Sequence, residues 1–145
     1  MTPDVNVLVA AARPDHPHHH VAAAWLVKKA DTRVSGSTFV LMPMVVASFL
    51  RLVTNPKVFK AAASTAVAID HIDKLVALPG AEMAALGAEW PLLRQLCIEK
   101  RLTGNALPDA WLAAAVIHHG EHLVTFDSDF RKLLPRHQVT VLATA

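Results

Sequence analysis

The chain has 145 residues, 14 lysines and arginines against 12 aspartates and glutamates, a net charge of +2 and 53% apolar composition. That length reads as one domain spanning residues 1–145 with room for a real core, and the charge tolerates a nucleic-acid partner without demanding one. A single cysteine, Cys97, excludes an internal disulfide and fits a reducing compartment, so a cytoplasmic location is expected.

Val5 to Ala12 is a short apolar run, broken by Arg13-Pro14-Asp15-His16-Pro17, and no strand is legible before Asp4. The start of the chain shows no basic run followed by an apolar one, so no signal peptide is expected. His18 to Ala30 has helical spacing through Val21, Ala24, Trp25 and Lys28. Thr38 to Met42 is β-prone and ends at Pro43, and Met44 to Val53 suits a buried helix stopped by Asn55-Pro56. The longest uncharged apolar stretch, Phe39 to Leu50, contains that proline and falls far short of the roughly 20 residues that span a bilayer. Ala61 to Ala77 reads as an amphipathic helix ended by Leu78-Pro79-Gly80, and Ala81 to Leu86 as a weak strand. Trp90 to Leu102 and Pro108 to His119 are the next helices, the second closed by Gly120. His122 to Phe126 and Val139 to Leu142 are short strands. This alternation predicts an α/β fold with a parallel sheet covered by helices.

The acidic residues stand where apolar elements meet loops. Singly, each has a structural explanation. Asp109 beside Pro108 is favourable in a first helical turn, Asp127 and Asp129 suit a turn, and Asp4 lies near a terminus. In a parallel sheet, however, the ligand crevice lies beyond the carboxyl ends of the strands, and Asp127 falls there. Carboxylates gathered in one cleft repel unless a proton or a cation offsets them. Three or four Asp on one cleft therefore suggest a hard divalent ion, Mg²⁺ or Mn²⁺.

The histidines offer a zinc alternative, since His16, His18, His19 and His20 cluster, as do His118, His119 and His122. Gly120 interrupts the second group and no H-E-x-x-H is present, so solvent-exposed helix ends are the preferred reading. Trp25, Trp90 and Trp111 read as core or interface residues, with Trp111 directed away from Asp109 two positions earlier. Cys97 reads as a small buried hydrophobe, and the scattered lysines and arginines as solvated faces.

Four segments occur in a telling order: Asp4-Val5-Asn6-Val7-Leu8, Arg51-Leu52-Val53-Thr54-Asn55-Pro56-Lys57-Val58-Phe59, Pro108-Asp109-Ala110-Trp111-Leu112-Ala113 and Thr125-Phe126-Asp127-Ser128-Asp129-Phe130. Together they resemble the PIN domain, and in particular the VapC toxins of bacterial toxin–antitoxin pairs, over essentially the whole chain. The resemblance implies a three-layer α/β/α sandwich around a mainly parallel sheet. It implies a metal-dependent endoribonuclease that hydrolyses RNA phosphodiester bonds and inhibits translation, a cognate antitoxin protein and a homodimer. Asp4, Asp109 and Asp127 match the family's metal-binding acidic positions, Asp129 a further one, and Asn6 a polar residue that helps hold the first Asp.

One departure stands out. The family usually carries a Glu on the helix matching Met44 to Val53, yet no Asp or Glu occurs between Asp31 and Asp70. Ser48 is the polar residue available at that position, able to hydrogen-bond but adding no charge. The alternative function is therefore a catalytically weakened PIN-like module that binds RNA or a partner protein without cleaving.

Overall fold

A computed structural model describes residues 1–30 and 38–144. Among these, strands and helices run β1 (Thr2–Pro3), α1 (Val5–Ala12), α2 (His19–Ala30), β2 (Phe39–Leu41), α3 (Pro43–Val53), α4 (Thr65–Val76), β3 (Ala81–Met83), α5 (Trp90–Glu99), α6 (Ala106–His118), β4 (Leu123–Thr125) and β5 (Val139–Val141). Short 3₁₀ turns cover Ser128–Lys132 and Arg136–Gln138.

Every strand pairing is parallel: β1 and β5 flank β4, and β2 lies beside β3. The two ladders meet at the start of the chain, where Val40 N–H donates to Met1 O and the Met1 ammonium donates to Thr38 O, each at 3.0 Å. The resulting order is β3-β2-β1-β4-β5. The central strands are buried throughout, as a parallel sheet with two covered faces requires. Successive strand residues face opposite ways, and β4 shows the consequence. Val124 packs with Val7, Ala10 and Ala22 of α1 and α2. Leu123 joins the main cluster with Phe49, Ile72 and Val116 of α3, α4 and α6. The sheet therefore lies between two helical layers.

Local chemistry explains the helix limits. Pro43 occupies the first turn of α3, where its missing N–H costs nothing. Ser64 caps α4 by accepting from Val67 N at 3.2 Å, so that helix starts at Thr65 rather than at Ala61. Gly120, with φ of 62°, closes α6; Gly120 N donates to Ile117 O and Glu121 N to Val116 O.

The sequence leaves two elements unassigned. Val5 to Ala12 is a helix, although Val5, Val7 and Val9 alternate in the manner of a strand. A strand also precedes Asp4. Thr2 and Asp4 donate their amides to His122 O and Val124 O, each at 2.8 Å, so the N–H that Pro3 lacks lies on the other edge. A two-residue strand containing proline leaves no pattern to read.

Among the described residues, no helix is long and apolar enough to cross a membrane. Phe49 anchors the main cluster, fully buried and stacked on His71 with ring centroids 5.6 Å apart. Phe49→Ala is expected to cost about 3–5 kcal/mol of stability, read from urea unfolding; a loss below about 1 kcal/mol contradicts this packing.

Candidate active site

Asp4 leaves β1 and caps α1 at once. Its Oδ1 accepts from Val5 N at 2.7 Å and its Oδ2 from Thr125 Oγ1 at 2.7 Å. Thr125 stands at the end of β4, the strand beside β1, and is fully buried. Its hydroxyl oxygen also accepts from Asp127 N at 3.0 Å and from Asn6 Nδ2 at 3.3 Å. Asn6 Oδ1 in turn accepts from Phe126 N at 3.2 Å. The amide of Asn6 therefore acts on Asp4 through Thr125. One hydroxyl ties together the first Asp, the polar residue after it and the start of the Asp127 loop.

Asp127 caps the following 3₁₀ turn by accepting from Asp129 N at 2.9 Å. Asp129 is exposed on that turn, with Lys132 Nζ at 3.6 Å. Asp109 comes from the first turn of α6. These carboxylates feel one another. Burial is the largest cause that raises the Asp4 carboxyl above the ordinary aspartate range; Asp109 and Asp127 add to it, while the Thr125 and Val5 hydrogen bonds oppose it. Asp109 is likewise raised, first by burial, then by Asp127 and Asp129.

Asp109 stands between two depressions. On one side a groove of about 700 Å³ holds Asp4, Asp109 and Ser48 among apolar side chains that include Met44, Leu93 and Trp90. On the other, a cleft of about 680 Å³ is lined by Lys100, Asn105, Asp109, Asp129 and Lys132. Ser48 is thus the polar residue that α3 presents to the groove, beside Met44 and Val45, where the resemblance calls for a Glu.

Trp90 and Trp111 are 60% and 38% exposed, so neither belongs to the core. Trp111 lines the same groove as Asp109 despite their spacing. Its Nε1–H donates to buried Glu89 Oε1 at 2.7 Å, and Gly87 N donates to Oε2 at 2.7 Å. Burial pushes the Glu89 carboxyl up, but these hydrogen bonds outweigh it and hold the group below the ordinary glutamate range. Trp25 is half-buried against Phe39, with ring centroids 6.3 Å apart. Sequence reasoning singled out neither Thr125 nor Glu89. The available signal for Thr125 was a hydroxyl inside an otherwise apolar strand one residue before the Phe-Asp pair.

The histidines have local partners. His16 and His18 lie 5.6 Å apart, ring centre to ring centre, and His18 lies 5.1 Å from Phe126. His122 contacts His137 O and Thr140 Oγ1. Among the described residues, no group of three His, Cys, Asp or Glu side chains is placed to clasp one ion directly. The aspartates instead share a field of negative charge, with Asp4 and Asp109 each feeling two acidic neighbours. That suits a hydrated hard cation such as Mg²⁺, which keeps several waters and takes few protein ligands.

The PIN domain family model matches residues 1–133. The chain belongs to the PIN-domain family. It is similar to Ribonuclease VapC25 and Ribonuclease VapC31 of Mycobacterium tuberculosis, each 35% identical over 130 residues and 89% of both chains. Ribonuclease VapC48 of the same organism is 33% identical over 131 residues, 89% of this chain and 88% of its own. Two solved structures share the fold at 18% identity. VapBC2 from Rickettsia felis, bound to a promoter DNA fragment, has a TM-score of 0.63 over 98% of each chain. FitAcB from Neisseria gonorrhoeae has a TM-score of 0.60 over 99% of this chain and 96% of its own. This PIN domain keeps Asp4, Asp109 and Asp127 near one another with no carboxylate from α3.

The raised Asp109 carboxyl has a measurable consequence. A carboxyl that holds its proton more tightly folded than unfolded removes stability as pH rises through and above its ordinary value of 3.8. Asp109→Asn is therefore expected to raise the melting temperature of the metal-free protein at about pH 7, by about 2 °C for a half-buried group. Well below the ordinary value of 3.8 the carboxyl is protonated in both states, and the gain should vanish. Thermal unfolding in chelator at the two pH values checks this; a variant that melts lower than the parent near neutrality contradicts it.

Proposed function

We propose that this PIN domain is a metal-dependent endoribonuclease, the toxin of a toxin–antitoxin pair. The observation that carries the reading is that Asp4 and Asp109, from distant parts of the chain, line one open groove, with Asp127 close enough for its charge to raise both their carboxyls. Support also comes from relatives named as VapC ribonucleases over 89% of the chain. The fold shared with VapBC2 supports an antitoxin partner.

In this reading Asp4, Asp109 and Asp127 hold Mg²⁺ or Mn²⁺, and Asp129 adds negative charge from the rim. When bound, the ion supplies water activation and neutralises charge developing on a phosphodiester. Thr125 fixes the Asp4 carboxylate and the Asp127 amide relative to each other, so the ligands arrive already oriented. RNA is the substrate, and its cleavage would inhibit translation. The apolar groove beside Asp4 and Asp109 is where an antitoxin segment would cover the site. A second copy of the chain would find apolar cover at exposed Val67 and Ile69 on α4.

Ser48 favours a second reading, a binding module with weakened or absent cleavage, because α3 contributes no carboxylate. RNA cleavage in Mn²⁺ buffer, abolished by chelator, decides between them. Asp4→Asn and Asp127→Asn are each expected to lower the cleavage rate by at least about 100-fold, since even partners of metal ligands cost about 10–100-fold when removed. Metal-dependent cleavage that persists unchanged in both variants rules the site out.

Ser48→Glu restores a carboxylate to the groove wall. It is expected to tighten Mn²⁺ binding by about tenfold in calorimetric titration, and unchanged affinity would separate Ser48 from the metal site.

A further inference from the structure

The aspartate site accounts for one phosphate, but an RNA strand brings several, and the structure offers two ways out from Asp109. Among the described residues, the groove holding Ser48 and Trp90 has no basic side chain in its wall. A phosphate placed there would lose water and gain no partner, at a cost of several kcal/mol. The opposite cleft is different. It carries Lys100 and Lys132 beside Asp109 and Asp129, together with Asn105.

Each of these polar groups is available. Lys100 ends α5, its position set by its N–H bond to Leu96 O and by the turn at Arg101, whose φ is 51°. Among the described residues its ammonium has no acidic partner. Lys132 closes the 3₁₀ turn that Asp127 caps, its side chain 81% exposed and only loosely paired with Asp129 at 3.6 Å. Asn105 stands at the N-cap of α6, yet its side chain caps no amide there. Two cations from distant parts of the sequence thus share a cleft that opens onto the carboxylate site. Its volume of about 680 Å³ lies within the about 300–1,000 Å³ of sites that enclose small ligands.

We propose that the cleft of Lys100, Asn105 and Lys132 holds the sugar–phosphate backbone of the RNA strand on one side of the scissile bond. It thereby fixes which way the strand runs past Asp109. Lys100 and Lys132 act as positioning residues: they neutralise phosphates flanking the reacting one and do not touch the reacting atoms. The proposal rests on the ribonuclease reading, and its test separates the two.

The test measures anisotropy of a fluorescein-labelled single-stranded RNA 12-mer in chelator across a salt series, and steady-state cleavage in Mn²⁺. The proteins are the parent, Lys100→Gln, the Lys100→Gln/Lys132→Gln double variant and a Lys57→Gln/Lys60→Gln control. Each phosphate contact on a single strand contributes about −0.7 to the slope of log affinity against log salt. The double variant is expected to flatten that slope by about 1.4, Lys100→Gln alone by about half as much, and the control not at all.

In cleavage, KM should rise about tenfold in the double variant while kcat changes less than about twofold. Because Lys100→Gln leaves Asp129 its partner Lys132, a slope change in that variant reads the cleft and not a displaced carboxylate. A parent that cuts RNA while the double variant keeps its slope and KM overturns the cleft assignment and leaves the ribonuclease intact. A parent that neither binds nor cuts RNA overturns both. Capture of a polyglutamate peptide that depends on the two lysines, with RNA handling unaffected, overturns the proposal in favour of an acidic protein segment.

Discussion

The hydrogen bond from Thr125 Oγ1 to Asp4 Oδ2 joins the ends of two neighbouring parallel strands, and the rest of the site is arranged around it. Parallel pairing puts the carboxyl ends of β1 and β4 on the same edge of the sheet, so a residue leaving each strand can meet the other. Thr125 then accepts from the Asp127 amide and from Asn6, which draws the next loop and the first turn of α1 to the same point. The hydroxyl is fully buried, and every bond it makes is therefore set in a low-dielectric surrounding. Without it, Asp4 would be a buried carboxylate held only by its own cap.

That arrangement works against the stability of the metal-free protein. Asp4 and Asp109 both titrate high because burial and their acidic neighbours disfavour the charged form. A fold of this size has only about 5–15 kcal/mol in hand, so gathering like charges is tolerated only because the core around them is dense. Phe49, Leu123, Val116 and Phe130 provide that core, and buried Glu89 bonds the α6 residue Trp111 to the chain just before α5. In the proposed reaction the same negative charge becomes the binding energy for a divalent cation.

Asp109 lies where the molecule changes character. Toward α3 and α5 the surface is apolar and aromatic; toward the Asp127 turn and the end of α5 it is charged, with Lys100 and Lys132 set among Asp109 and Asp129. A ligand with a charged backbone and apolar faces meets both environments, whereas a purely apolar or purely anionic one meets only one. This asymmetry gives the proposed backbone path its direction. It also leaves the apolar groove for the partner protein of the proposed toxin reading.

Much of this was legible in the sequence. The alternation of elements, the Pro43, Asn55-Pro56 and Gly120 boundaries and the acidic positions all follow from local rules, because caps, prolines and glycine conformations act within a few residues. The order of the four segments also carried the family. The two-residue strand β1 was not legible, since its order comes from neighbours on both sides and not from its own residues, and α1 hid behind alternating valines. The roles of Thr125, Glu89, Lys100 and Lys132 depend on contacts between residues far apart along the chain. Composition and spacing determined which side chains were present, at which ends of which elements. Only the tertiary structure decided which of them share a cleft, because parallel strand register, and not sequence proximity, brings those ends together.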